Sequence, residues 1–116
     1  MKKEKLSFVQ VLLKKHRDKN HGHYHAIMDA VDDKYVSVGT TSKPTKGAKS
    51  KSPNYKCEQD ILGNGQTTYL RRQATVDKKS NYFDGRSGKM SSKDYERARI
   101  YAERAKQKYL SRKKKK

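Results

Sequence analysis

Residues 21–42 read HGHYHAIMDAVDDKYVSVGTTS, and the fold turns on how this stretch pairs with itself. From His23 to Ala30 the residues alternate, with Tyr24, Ala26 and Met28 on one face and His23, His25 and Ile27 on the other. Asp32-Asp33 is a turn signal, and Lys34–Thr40 is the clearest strand in the chain, with Val36 and Val38 sharing a face. The two halves predict a β-hairpin that seeds a core.

The chain has 116 residues, room for one modest domain. Leu, Ile, Val and Phe number 17, roughly 15%, below the ~20% at which highly charged chains often fail to fold. A compact centre with polar arms is expected. The boundaries are an N-terminal helix or arm over 1–20, a small β domain over 21–89 with a basic loop at 40–56, and a basic C-terminal helix and tail over 90–116. The fold class is α+β: a small antiparallel sheet or partial SH3-like barrel with a basic C-terminal α-helix.

Other segments are placed by their spacing. Leu6, Val9, Leu12 or Leu13, and His16 favour a short helix over 4–17, although the β-branched Val9 and Val11 leave a strand open. Thr40–Lys56 carries five lysines, two prolines and no acid, a mobile basic loop. Thr67–Val76 alternates as a further strand, and Asp77–Lys89 reads as loop. Ser91 or Ser92 can cap a terminal helix with Asp94 in its first turn. Tyr95, Ala98, Ala102, Ala105 and Tyr109 then form a narrow seam that docks it on the sheet.

Thirty Lys and Arg against 12 Asp and Glu give a net charge of +18, and from Lys78 onward 15 basic residues face 4 acidic ones. Such an excess calls for an anionic partner, by default nucleic acid, with RNA or single strands favoured. Membrane binding is not expected, since no apolar run approaches the ~20 residues of a spanning helix. The single cysteine, Cys57, allows no intramolecular disulfide and fits the reducing cytoplasm. Phosphate contacts are expected from Lys43, Lys46, Lys49, Lys51 and Lys56, and from Arg97, Arg104 and Lys108 on the helix. Tyr55, Tyr69 and Tyr82 lie close to Lys or Arg, as in surfaces that stack unpaired bases, or serve as core aromatics.

For chemistry, His21, His23 and His25 at two-residue spacing suit a metal site only with further ligands, which the sequence supplies poorly; no metal and no cofactor are expected. His23 or His25 could instead serve as general base or acid at a ribose 2′-hydroxyl, or be polar residues on an exposed strand face. Thr41 and Ser42, at a strand end beside the basic loop, could orient a phosphate or merely cap a turn. Arg71 and Arg72 would project to opposite faces of a strand. One could stabilise a phosphorane, or either could pair with Asp60 or Asp77.

HYHAIMDAVDDKYVSVGTTSK, residues 23–43, resembles the central hairpin of the MazF/PemK-type toxins. The overall look is similar to that of small basic proteins of Firmicutes phages and mobile elements. The resemblance implies an SH3-like barrel, often dimeric, that cleaves single-stranded RNA without a metal by means of an arginine and a Thr or Ser hydroxyl, here Thr41 or Ser42. His23 stands roughly where that arginine belongs, Tyr24 replaces the adjacent proline, and the Gly-rich opening strand is missing. The function expected is thus nucleic-acid binding, with a toxin-type endoribonuclease as its catalytic form and a protein antitoxin as partner. The alternative is a non-catalytic DNA- or RNA-binding protein, or one that inhibits a host nucleoprotein.

Overall fold

A computed structural model describes residues 8–17, 24–42 and 54–114, with Lys114 described by its backbone alone. The elements are β1 (Phe8–His16), β2 (Tyr24–Val31), β3 (Lys34–Thr41), β4 (Tyr55–Lys56), β5 (Tyr69–Leu70), β6 (Thr75–Lys78), β7 (Tyr82–Ser91) and α1 (Ser92–Lys114), with a 3-10 turn at Lys79–Asn81. The strands form one open antiparallel sheet ordered β4-β5-β3-β2-β1-β7, and β6 lies beside the first half of β3. The expected α+β class, a small sheet with a C-terminal helix, is the observed one.

The β2–β3 hairpin forms around Asp32-Asp33, with Asp32 at φ 55°, a conformation Asp tolerates better than most residues. Cross-strand partners share a face, so the register defines the core: Val38, Ala26 and Leu13 form a row across three strands, flanked by Val36 opposite Val76 and Thr40 opposite Leu70. Leu13, Ala26, Val36, Val38, Leu70 and Met90 are all fully buried there, and burying each large member contributes about 1.5–3 kcal/mol. Ala98 and Ala102 of the predicted seam close this face, joined by Tyr101, which the seam does not include.

Three segments differ from the sequence expectation. Residues 8–16 are a strand rather than a helix. Val9, Val11 and Leu13 alternate onto the core face, and burial there outweighs a helical spacing that offers no better apolar stripe. The sheet therefore begins at Phe8, ahead of the boundary at 21, and runs to Ser91. Residues 77–89 are not loop: β7 pairs along β1 through backbone bonds that its Gly, Ser and charged residues leave unmarked. Thr67–Val76 is not one strand either. It breaks into β5 and β6, which serve the two halves of β3, and Arg71 to Ala74 lie between them.

Two bulges set side-chain directions. In β2 the register shifts between Ile27 and Asp29, so Asp29 opposes Val36 on the helix side, where its carboxylate takes a 2.8 Å bond from Lys106. In β7 the shift falls at Asp84 (φ 52°) and Gly85 and re-aims Tyr82 against His16. At the helix start, Ser91 Oγ accepts the N–H of Asp94 at 3.0 Å, a capping bond. Asp94 does more than face the helix dipole. Fully buried, it accepts Tyr55 Oη at 3.0 Å, Glu58 N at 2.9 Å and Gln59 N at 3.2 Å, tying the turn after β4 to α1.

Candidate functional site

On the sheet face away from the core, the register lines up His25 with Gly39, His16 with Tyr82 and Tyr35 with Asp77. β1 and β6 are separated by β2 and β3, yet His16 Nε2 donates to Asp77 Oδ2 at 2.8 Å, so the sheet curls strongly toward this face. Inside the curl, the Tyr82 and Ser37 hydroxyls share a 2.8 Å hydrogen bond, and Ser37 Oγ lies 3.3 Å from His25 Nδ1. The His16 and His25 rings stand 5.5 Å apart, and Tyr82 meets His16 edge-on at 4.7 Å. Two histidines, a tyrosine, a serine and an aspartate thus form one polar network.

His16, His25, Ser37 and Tyr82 are buried, whereas the Asp77 side chain keeps 30% exposure. Burial pushes the Tyr82 phenol up to about 12, with the Asp77 charge adding to it and the Ser37 bond opposing, so the hydroxyl stays protonated at neutral pH. Burial also works against the Asp77 carboxylate, but bonds from the Lys78 N–H, Asn81 and His16 outweigh it and hold the carboxyl below its ordinary value. Desolvation raises the Cys57 thiol further still, which leaves no thiolate nucleophile there at neutral pH.

Arg71 lies beside the network. Its N–H donates to Gly39 O at 2.9 Å, and its side chain lies over Gly39. A Cβ on Gly39 would stand 3.3 Å from both Arg71 Cδ and His25 Cε1, so the bare backbone is what admits both groups. Arg71 Nε is buried without a hydrogen-bond partner among the described residues.

Of the residues singled out from sequence, His25 and Arg71 therefore both lie against Gly39. His25 is buried in the curl rather than displayed on an exposed strand face. Arg71 and Arg72 do diverge, though from the irregular segment between β5 and β6 rather than from a strand. Neither pairs with Asp60 or Asp77. Asp60 accepts the N–H groups of Gly63, Asn64 and Gly65, and Asp77 is taken by His16, Lys78 and Asn81. Thr41 and Ser42 line a separate cleft with Tyr24 and the 62–68 loop. His21, His23, Lys43, Lys46, Lys49 and Lys51 lie outside the described residues. Among the described residues, no three His, Cys, Asp or Glu converge as metal ligands.

His16, Ser37, Asp77 and Tyr82 carry no sequence signal of their role. His16 and Asp77 lie 61 residues apart, and only the curl joins them.

A second feature runs along α1. Arg72, Arg104, Lys108 and Arg112 surround a groove of about 580 Å³ floored by Ala74, Val76, Tyr101 and Ala105. Arg104, Lys108 and Arg112 follow at four-residue intervals, steps of about 6 Å along one face of the helix. Lys106 and Lys113, on another face, are held by Asp29 and Asp32, whereas none of the groove cations has an acidic partner among the described residues. Arg97 lies outside the groove, 5.6 Å over the Tyr55 ring, and Lys56 is exposed on β4.

No protein-family model, curated protein or solved structure matches the chain. Among the described residues, no helix is long and apolar enough to cross a membrane.

Proposed function

We propose that the protein binds nucleic acid, single-stranded RNA above all, along the α1 groove, as a protein of the cytoplasm. The observation that carries this reading is the row of four cations that have no acidic partners among the described residues, over a floor that includes the buried Tyr101, with the half-buried Tyr109 at its margin. Cations in steps of about 6 Å suit an extended phosphate backbone, and a narrow groove suits a single strand better than a duplex. The test is fluorescence anisotropy with labelled single-stranded RNA between about 50 and 200 mM salt, where each phosphate contact on a single strand contributes about 0.7 to the log–log slope. Replacing Arg104, Lys108 and Arg112 together by glutamine lowers that slope by about 2. A slope unchanged by the triple substitution overturns this placement.

A second reading, favoured by Arg71 and His25 both lying against Gly39, is a metal-independent endoribonuclease of toxin type, with a protein antitoxin as partner. This reading requires the curl to open, because His16 and His25 are buried; an imidazole of the network then takes the 2′-hydroxyl proton as O2′ attacks phosphorus. The Arg71 guanidinium faces the charge that builds on the phosphorane. The 5′-oxygen leaves with a proton, yielding a 2′,3′-cyclic phosphate. Incubation with labelled RNA in EDTA tests it. Cleavage that persists, and is lost in both Arg71→Ala and His25→Asn, supports catalysis. Intact RNA with salt-dependent binding leaves a binding protein, of DNA, RNA or a host nucleoprotein.

A further inference from the structure

At the end of the sheet opposite the helix groove, a cleft of about 220 Å³ opens between the start of β2, the end of β3 and the 62–68 loop. Its walls are built for hydrogen bonding: Asn64 and Gln66 bring side-chain amides, and Ser42 and Thr67 bring hydroxyls. The frame is fixed. The Asp60 carboxylate accepts Gly63 N at 2.9 Å and Gly65 N at 2.7 Å, and Thr68 Oγ1 accepts Ile61 N at 3.2 Å. Gly63 and Gly65 sit at φ 67° and 80°, which the tight loop requires.

Two cations stand at the mouth. Arg86 Nη2 donates to Leu62 O at 3.3 Å, which pins the guanidinium to the lip, and its Cζ lies 5.6 Å from the centroid of the Tyr24 ring. Lys15 Nζ lies 5.4 Å from the same ring. Lys15 is tethered only loosely, 3.8 Å from the exposed Asp84, and Arg86 has no acidic partner among the described residues. Planar cation, aromatic ring, amides and hydroxyls together are the groups that take a splayed-out base and its phosphate: the base stacks on a guanidinium or ring, its edge bonds to amides, and the phosphate meets lysine and hydroxyl.

At about 220 Å³ the cleft is smaller than the ~300–1,000 Å³ of pockets that enclose a whole small molecule, so it suits the base of one nucleotide with its phosphate left at the mouth. The cleft is also close to the groove along the chain. Thr68 lines the cleft and Arg72 lines the groove, and the four-residue step from one to the other spans at most about 14 Å.

We propose that this cleft captures one unstacked nucleotide of a single strand whose neighbouring phosphates lie in the α1 groove, with Arg86 and Tyr24 against the base, Asn64 and Gln66 on its edge, and Lys15 and Ser42 on its phosphate. The inference rests on the nucleic-acid reading above and adds the base-reading subsite to it.

The test uses short single-stranded RNA carrying 2-aminopurine, whose fluorescence rises when a base leaves its stack, alongside the same strand with an abasic site and a free nucleoside monophosphate. The wild-type protein brightens 2-aminopurine on saturation. Arg86→Gln and Asn64→Ala/Gln66→Ala each weaken the base-bearing strand roughly tenfold, as expected for losing one captured base, and leave the abasic strand unaffected. The Arg104→Gln/Lys108→Gln/Arg112→Gln variant weakens both strands yet still brightens the probe at saturation. Strand binding that Arg86→Gln and Asn64→Ala/Gln66→Ala do not alter overturns the cleft proposal and leaves groove binding standing. Failure to bind any strand overturns the nucleic-acid reading itself. Tight binding of the monophosphate without strand binding also overturns the proposal, in favour of a free nucleotide.

Discussion

Asp94 is the residue whose replacement most directly tests how α1 is held on the sheet. Its side chain is fully buried and satisfies three donors, Tyr55 Oη and the N–H groups of Glu58 and Gln59, at 2.9–3.2 Å. In Asp94→Ala all three lose their acceptor. An orphaned buried donor costs about 1–3 kcal/mol, and partial entry of water puts the sum at about 3–5 kcal/mol. Against a typical total of about 5–15 kcal/mol that is severe. Asp94→Asn keeps the shape and one acceptor but turns an amide N–H toward a backbone N–H, a loss of about 1.5–3 kcal/mol. Urea unfolding followed by circular dichroism resolves the series, because a slope of about 1–3 kcal/mol per molar turns these losses into midpoint shifts of roughly 0.5–5 M. The order wild type, Asn, Ala is the expected result. An alanine variant within about 1 kcal/mol of wild type would refute the view that this carboxylate anchors the helix start to the β4 turn.

Three further outcomes follow from the packing and the network. A Cβ on Gly88 would stand 2.6 Å from Leu13 Cδ1 and 3.0 Å from the Ile61 carbonyl oxygen, so Gly88→Ala overpacks the core and costs about 1–3 kcal/mol in the same unfolding assay. Gly39→Ala meets only the 3.3 Å contacts to Arg71 and His25; the fold survives, with a thermal midpoint within a few degrees of wild type, whereas any EDTA-resistant cleavage falls because Arg71 is displaced from His25. The Asp77 carboxyl is held below its ordinary value of 3.8, so the stability it contributes is full above that pH and is lost as pH falls through the lower folded value. Thermal melts should therefore drop below about pH 4, and Asp77→Asn should flatten part of that drop while lowering stability at pH 7.

The parts of the fold legible in the sequence are those whose signal is local. The β2–β3 hairpin declares itself through alternation and an Asp-Asp turn. α1 does so through a serine cap, an acid in the first turn and a seam at 3-4 spacing. β1 and β7 are opaque for opposite reasons. β1 carries apolar residues at spacings that fit either period, and only the partner strand decides. β7 (YFDGRSGKMS) has almost no apolar signal, because it lies at the sheet edge and is held by backbone bonds to a strand more than 60 residues away. The bulge in β2 defeats alternation in a further way, moving Asp29 from the face of His25 to that of the helix. The site follows the same rule. His25 stands out within its histidine run, but His16, Asp77 and Tyr82 become partners only through the curl of the sheet.

The disposition of acidic residues joins the fold to the proposed partner. Ten of the 12 acids lie among the described residues, and every one is engaged within the molecule. Asp29, Asp32, Asp33, Glu58, Asp84 and Glu96 meet lysine or arginine, and Glu103 accepts Gln107. Asp60 and Asp94 hold backbone N–H groups, and Asp77 holds His16. Two of the contacts, Asp29 to Lys106 and Asp32 to Lys113 and Tyr109, clasp the hairpin to α1 and use up the cations on that side of the helix. The acids are thus spent on structure, and those of the described chain leave none to neutralise Arg72, Arg104, Lys108 and Arg112. Cations left without counter-charges along one groove repel one another, and a polyanion relieves that repulsion while releasing its own counterions. The same distribution that builds the helix clasp therefore leaves the opposite face of the helix as the place where an anionic strand gains most by binding.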